Sequence, residues 1–122
     1  MIQLKRAYDG ATPADGARIL VERLWPRGVK KTDLVLAAWA REVAPSMGLR
    51  QWFSHDPAKW AEFQRRYTAE LRSHADELAP LLAAARHGTL TLIYSSHDTE
   101  HNNAVVLQHY LEAQLRTQGH AA

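Results

Sequence analysis

The chain has 122 residues, 46% apolar and 23% charged, with a formal net charge of +2 and no cysteine. That length and balance fit one globular domain (residues 1–122) with a real core, and the missing thiols exclude disulfides, thiolate nucleophiles and Cys-based zinc sites. No apolar run approaches the ~20 residues that cross a bilayer, and Met1–Arg6 lacks the apolar stretch of a signal peptide, so no membrane role is expected and a cytoplasmic location fits.

In chain order, Ile2 to Ala7 is the first strand candidate, followed by a turn-rich loop from Asp9 to Gly16. The second strand candidate is Arg18 to Leu24, an apolar run that empties into Trp25-Pro26-Arg27-Gly28. Thr32 is placed to cap a helix containing Leu36, Trp39 and Val43 that stops before Pro45. Asp56-Pro57 opens another helix, in which Trp60, Phe63, Tyr67 and Leu71 form one apolar stripe with Glu62, Arg65 and Arg66 outside it. Pro80 predicts a break or kink, after which a helix through Leu81, Leu82 and Ala85 ends at His87-Gly88. The third strand candidate spans residues 89–95. A last helix is expected from about Thr99 to Leu115, with Ala104, Leu107, Leu111 and Leu115 on one face.

A strand, a long helical crossover and another strand imply parallel pairing. The expected architecture is a small layered α/β fold. Its short, mostly parallel sheet uses strands near 2–7, 18–24 and 89–95, with helices covering both faces. Ligands in such sheets bind beyond the carboxyl ends of the strands. Two polar loops qualify, Trp25 to Lys31 and Ser95 to Asn103.

The run Arg18-Ile-Leu-Val-Glu-Arg-Leu-Trp-Pro-Arg-Gly28 resembles the signature of the YeaO-like branch of the bacterial family called domain of unknown function 488. Further matching positions are Trp39, Pro45-Ser46, Leu49-Arg50, Trp52-Phe53, His55, Trp60, Phe63, Tyr67, Leu92-Ile93-Tyr94 and His101-Asn102-Asn103-Ala104-Val105-Val106-Leu107. The likeness covers about residues 2 to 115. It implies a small bacterial cytoplasmic α/β protein and no defined activity. Other branches carry cysteines around the loop corresponding to Ser95–Asn103. This chain has none there, so a thiol mechanism does not carry over.

Charge is distributed unevenly. Residues 1–31 hold seven basic and three acidic side chains, a balance of +4 on a chain that is otherwise slightly acidic. Arg23 and Arg27 lie four apart across a strand-to-loop turn and can grip phosphate or carboxylate in forked fashion. The competing reading pairs them with Glu22, Asp98 or Glu100 inside the protein. Trp25 can stack on a planar ligand or simply pack in the loop. Ser95, Ser96, Asn102 and Asn103 surround the expected start of the last helix, whose free N–H groups favour an anion.

His55 and His101 are the candidate general acids or bases, with His55 the first to consider because it precedes a helix start. His97 and His101 have a spacing seen in metal sites, with Asp98 or His55 as a conceivable third ligand, but the pattern does not amount to a metal site. No Gly-x-Gly-x-x-Gly, Walker or Gly-x-Ser-x-Gly pattern is present, so no cofactor is assigned. The preferred reading is a site for an anionic, phosphate-bearing small molecule, with or without catalysis. The alternative is a nucleic-acid or protein-binding module built on the basic N-terminal third and the aromatics Trp25 and Trp52. The sequence sets neither substrate nor oligomeric state.

Overall fold

The computed structural model describes residues 1–121, with side chains through Gln118. Four strands, β1 (Ile2–Arg6), β2 (Ala17–Leu20), β3 (Ala38–Trp39) and β4 (Leu90–Tyr94), form one sheet in the order β1-β4-β2-β3. Every pairing is parallel, with Ile2 opposite Leu90 and Ile19 opposite Leu92. Four helices accompany it: α1 (Met47–Phe53), α2 (Trp60–Arg72), α3 (Ala75–His87) and α4 (Asn103–Ala121). The expected parallel α/β sheet is therefore present, with one more strand than the sequence suggested.

That extra strand replaces an expected helix. Residues 32–44 form a short 3-10 turn, β3 and a second 3-10 turn. The edge of β2 offers unpaired backbone groups, and the segment accepts them: Ala37 N donates to Arg18 O at 2.7 Å and Ala40 N to Leu20 O at 2.8 Å. Burial follows a period of two here, Leu34 in and Val35 out. Sheet pairing wins over helical spacing.

Residues alternate across the sheet. Ile2, Ile19, Leu90, Leu92 and Tyr94 face the main core, where they meet Phe63, Tyr67 and Leu71 of α2, Leu81 of α3, and Leu107 and Leu111 of α4. The α2 stripe is buried as expected, although Trp60 is only partly covered. Leu20 and Ile93 point the other way and are covered by Leu34, Trp25, Val29, Leu36 and Trp39. Helices thus cover one face, and the irregular segment 25–39 covers the other. The expectation of helices on both faces fails because the Thr32 segment joins the sheet.

Pro80 lies inside α3 without ending it; the chain breaks earlier, at Ser73-His74. Pro80 and Asp76 are both exposed, so water can serve the Asp76 carbonyl that proline leaves without a donor. Strand β2 ends at Leu20 instead of continuing to Leu24. Beyond Val21 its carbonyls serve side chains: Asn103 Nδ2 donates to Val21 O at 2.7 Å and Trp39 Nε1 to Glu22 O at 2.7 Å.

Candidate functional site

A cavity of about 70 Å³ opens where β2 and β4 end. Space for one water needs only ~10–15 Å³, so this volume suits a small polar molecule or one headgroup. Its lining draws on the β2 exit (Glu22, Arg23), the β4 exit (Ser95, Ser96), the approach to α4 (His101, Asn102, Asn103), and Pro45, Arg50, Phe53, His55 and Phe63. Each group arrives there for a local reason.

Ser46 caps α1 by accepting from Leu49 N at 3.2 Å, and Glu70 of α2 holds Ser46 through N at 2.8 Å and Oγ at 2.6 Å. That anchor carries Arg50 and Phe53 to the cavity. Phe53 stacks on Phe63 with centroids 4.3 Å apart, giving one apolar wall. After α1, Ser54 and His55 both adopt left-handed backbone, with φ of 47° and 57°. This turn sets exposed His55 at the cavity rim.

The loop after β4 is held from both sides. Arg6 Nε donates to Ser96 O at 2.9 Å, and its other end donates to His97 Nδ1 at 3.2 Å. Asp98 Oδ1 accepts from the N–H groups of Glu100 and His101, both at 2.9 Å. Those two bonds are the main reason its carboxyl sits below the ordinary aspartate value. Asn102 Oδ1 then accepts from Val105 N at 3.1 Å, so Asn102 caps α4. The helix begins at Asn103, later than the expected Thr99, because Asp98 spends its oxygens on a turn instead of a cap.

Asp98 Oδ2 also lies 2.9 Å from His101 Nδ1. An ionised carboxylate only accepts, so the neutral ring carries its proton on Nδ1 and leaves a lone pair on Nε2. The ring packs edge-on to Trp60, with centroids 5.2 Å apart. In that neutral form His101 presents Nε2 as an acceptor beside the cavity. His97 turns to Arg6 instead, so the two histidines do not converge. Among the described residues no group of three His, Asp or Glu side chains assembles that could hold a metal.

Arg23 is held by backbone acceptors, Ala44 O at 2.9 Å and Pro45 O at 3.3 Å. Neither Arg23 nor Arg50 lies within ion-pair distance of a carboxylate among the described residues. Glu22 is buried, and Ser95 N donates to its Oε2 at 3.0 Å. Burial pushes its carboxyl above the ordinary glutamate value, while the Ser95 N–H and the Arg50 charge pull back. Glu22 is the one carboxylate in the lining.

Of the residues singled out from sequence, Arg23, Ser95, Ser96, Asn102, Asn103, His55 and His101 meet at this cavity. Trp25 and Arg27 do not. The Trp25 indole donates to Val29 O at 2.6 Å and packs edge-on to Trp39 in the loop-covered core. Arg27 is exposed, and its carbonyl accepts from the Tyr8 hydroxyl at 3.1 Å. Trp52 is half-buried under Arg66, whose guanidinium lies 4.3 Å from the ring centroid. Sequence reasoning missed Arg50 and the cavity role of Glu22. For Arg50 the available signal was its place in the Leu49-Arg50 match.

The family model described as the inactive DUF488-N3 subclade matches residues 1–122. The chain belongs to this family. It is 47% identical to the uncharacterised protein YeaO of Escherichia coli K12, over 92% of this chain and 97% of that protein. It is 36% identical to uncharacterised proteins of Mycobacterium tuberculosis H37Rv and Mycobacterium bovis, over 90% of this chain and 92% of each relative. No solved structure matches it significantly. Among the described residues no helix is long and apolar enough to cross a membrane.

Proposed function

We propose that this protein binds a small anionic molecule, carboxylate or phosphate, in the cavity at the ends of β2 and β4. The observation that carries the reading is the pair of guanidiniums, Arg23 and Arg50, that line the cavity without a carboxylate within ion-pair distance among the described residues. An arginine is charged at all relevant pH, and a guanidinium in a partly dry cleft attracts a forked acceptor. Phe53 and Phe63 supply the apolar wall that lowers the local dielectric. His101 and His55 add two imidazoles to the lining. The family description, an inactive subclade, fits binding without turnover. A cytoplasmic setting belongs to the same proposal. The aromatics that a nucleic-acid module would offer, Trp25 and Trp52, are committed to contacts within the fold, which favours the small-molecule reading.

The test is a thermal-shift titration with inorganic phosphate and a panel of short carboxylates. A ligand selective for the folded state stabilises by RT ln(1 + [L]/Kd), about 2.7 kcal/mol at a hundredfold excess over Kd. At least one anion should raise the melting temperature, and Arg50→Gln should remove most of that rise. A flat response across the panel, or a rise that survives both Arg23→Gln and Arg50→Gln, discards the proposal.

A further inference from the structure

An anion site lined by a buried carboxylate contains an internal contradiction. Glu22 Oε2 is committed to the Ser95 N–H, 3.0 Å away. Oε1 accepts no hydrogen bond of full geometry among the described residues, although the Ser95 hydroxyl lies near the carboxylate and also favours its charge. It is not a sealed-off atom, because the one enclosed side-chain polar atom without a partner there is His74 Nδ1. Glu22 lines the cavity, which places its carboxylate to meet a ligand there. While Glu22 is ionised, a plain anion seated on Arg23 and Arg50 would meet its carboxylate with like charge and no proton between them. A ligand that carries its own donor removes the conflict.

Resting on the anion-site reading above, we propose that the cavity selects small acids bearing a hydroxyl or amine next to the acidic group. Glu22 Oε1 receives the donor, and the Arg23 and Arg50 side takes the acid. His101 Nε2 is the other acceptor at the cavity, and a carboxylate oxygen is the stronger of the two. Asn102 is spent on Asp98 O and Val105 N, and Asn103 Nδ2 on Val21 O. The cavity volume of about 70 Å³ holds a compact acid of this kind. Glu22 is thus a specificity residue: it contributes little to holding an acid and much to choosing between acids. A hydrogen bond to a charged group contributes ~1.5–3 kcal/mol, which corresponds to roughly tenfold or more in affinity.

The experiment compares acetate with glycolate, which differ by one hydroxyl, and adds glycine as the amine analogue. Binding is followed by amide chemical-shift changes of the full-length protein in mildly alkaline buffer. Glycolate should bind about tenfold or more tightly than acetate. In Glu22→Gln, the Ser95 N–H keeps the amide oxygen, so Nε2 faces the cavity and the polarity there reverses. The preference for glycolate should then vanish while acetate binding persists or tightens. If Glu22→Gln does not fold, Glu22→Asp, which withdraws the carboxylate by one methylene, should weaken glycolate more than acetate. Equal binding of acetate and glycolate, or a preference that survives these substitutions, overturns the selectivity proposal and leaves the anion site standing, provided Arg50→Gln still weakens acetate. If neither these acids nor phosphate shift any cavity residue, the anion-site reading itself falls and takes this inference with it.

Discussion

Two buried carboxylates flank the same sheet and are treated in opposite ways. Asp15, just before β2, is surrounded by donors: Lys5 Nζ at 3.1 Å, Arg18 at 2.6 Å, Thr12 N at 3.1 Å and Thr12 Oγ1 at 2.9 Å. Arg18, in turn, gives its Nε to Val35 O at 2.8 Å, tying the loop-covered face to β2. Glu22, just after β2, has Ser95 as its one hydrogen-bonding neighbour, and the arginines near it lie outside ion-pair distance of any carboxylate among the described residues. A closed charge cluster holds the fold in register. An open one leaves bonding capacity for something else, and it lies where parallel sheets place their ligands.

The largest expected difference is in stability. Replacing Arg18 with Met strips buried Asp15 of a charged partner and frees Val35 O, the combination that destabilises most when a buried network is broken. Arg50→Met removes an exposed side chain that forms no ion pair among the described residues and acts on Glu22 only through its charge, so it should stay within ~0.5 kcal/mol of wild type, like most surface changes. Denaturant unfolding of the two variants checks the contrast. Equal losses would mean that Arg50 is also a structural partner and would weaken the anion reading.

The next contrast is one of sign along the pH axis. Asp15 is held well below its ordinary value of 3.8, chiefly by the Thr12 N–H, with Lys5, the Thr12 hydroxyl and Arg18 adding to it against the cost of burial. A depressed carboxyl contributes stability that is present above that ordinary value and is lost as pH falls below it. Glu22 is raised above its ordinary 4.5, mainly by burial. Its contribution is fully present below 4.5 and is lost as pH rises through its folded-state value. Stability measured against pH should therefore lose part of its acid limb in Asp15→Asn. Glu22→Gln should gain on wild type as pH climbs from 4.5 toward neutrality. A Glu22→Gln curve parallel to wild type would show that the carboxyl is not desolvated in solution.

How much of this was legible in the sequence follows from where each interaction is written. Parallel pairing of β2 with β4 follows from two apolar runs separated by a long crossover, and polar strand exits on neighbouring strands explain why Arg23, Ser95, Ser96, Asn102 and Asn103 line one cavity. Burial of Phe63, Tyr67 and Leu71 follows from helical spacing within one segment. Segment 32–44 was misread because its conformation is decided by the free edge of β2, a partner that no local window contains. Trp25 and Arg27 were expected beside the other candidates because adjacency in sequence stood in for adjacency in space, yet the chain bends at Arg23-Leu24 and Trp25 packs on the opposite face of the sheet. Arg50 was passed over because it sits in a short helix whose position depends on the Ser46–Glu70 contact, 24 residues apart.

The smallest expected effect separates the two regions by backbone strain. Beside the closed cluster, the left-handed position is occupied by Gly16, with φ of 62°, where any Cβ would collide with the Thr89 carbonyl. Near the cavity the left-handed positions fall on His55, which lines it, and on the preceding Ser54, residues for which that conformation costs on the order of 1 kcal/mol each. Sequence that accepts such a cost beside a cavity, where glycine would relieve it, suggests that the side chains there matter. Ser54 follows α1 as its C-cap, so Ser54→Gly should stabilise the protein by ~0.5–1 kcal/mol and leave the response to small acids intact. His55→Gly should give a comparable gain but lose part of the ligand response, because the imidazole at the rim is removed. Melting temperatures and acid titrations of the pair decide it. If Ser54→Gly is neutral or destabilising, the rim is not strained. If His55→Gly keeps the full ligand response, the imidazole is a bystander and the binding side of the cavity narrows to Glu22, Arg23, Arg50 and His101.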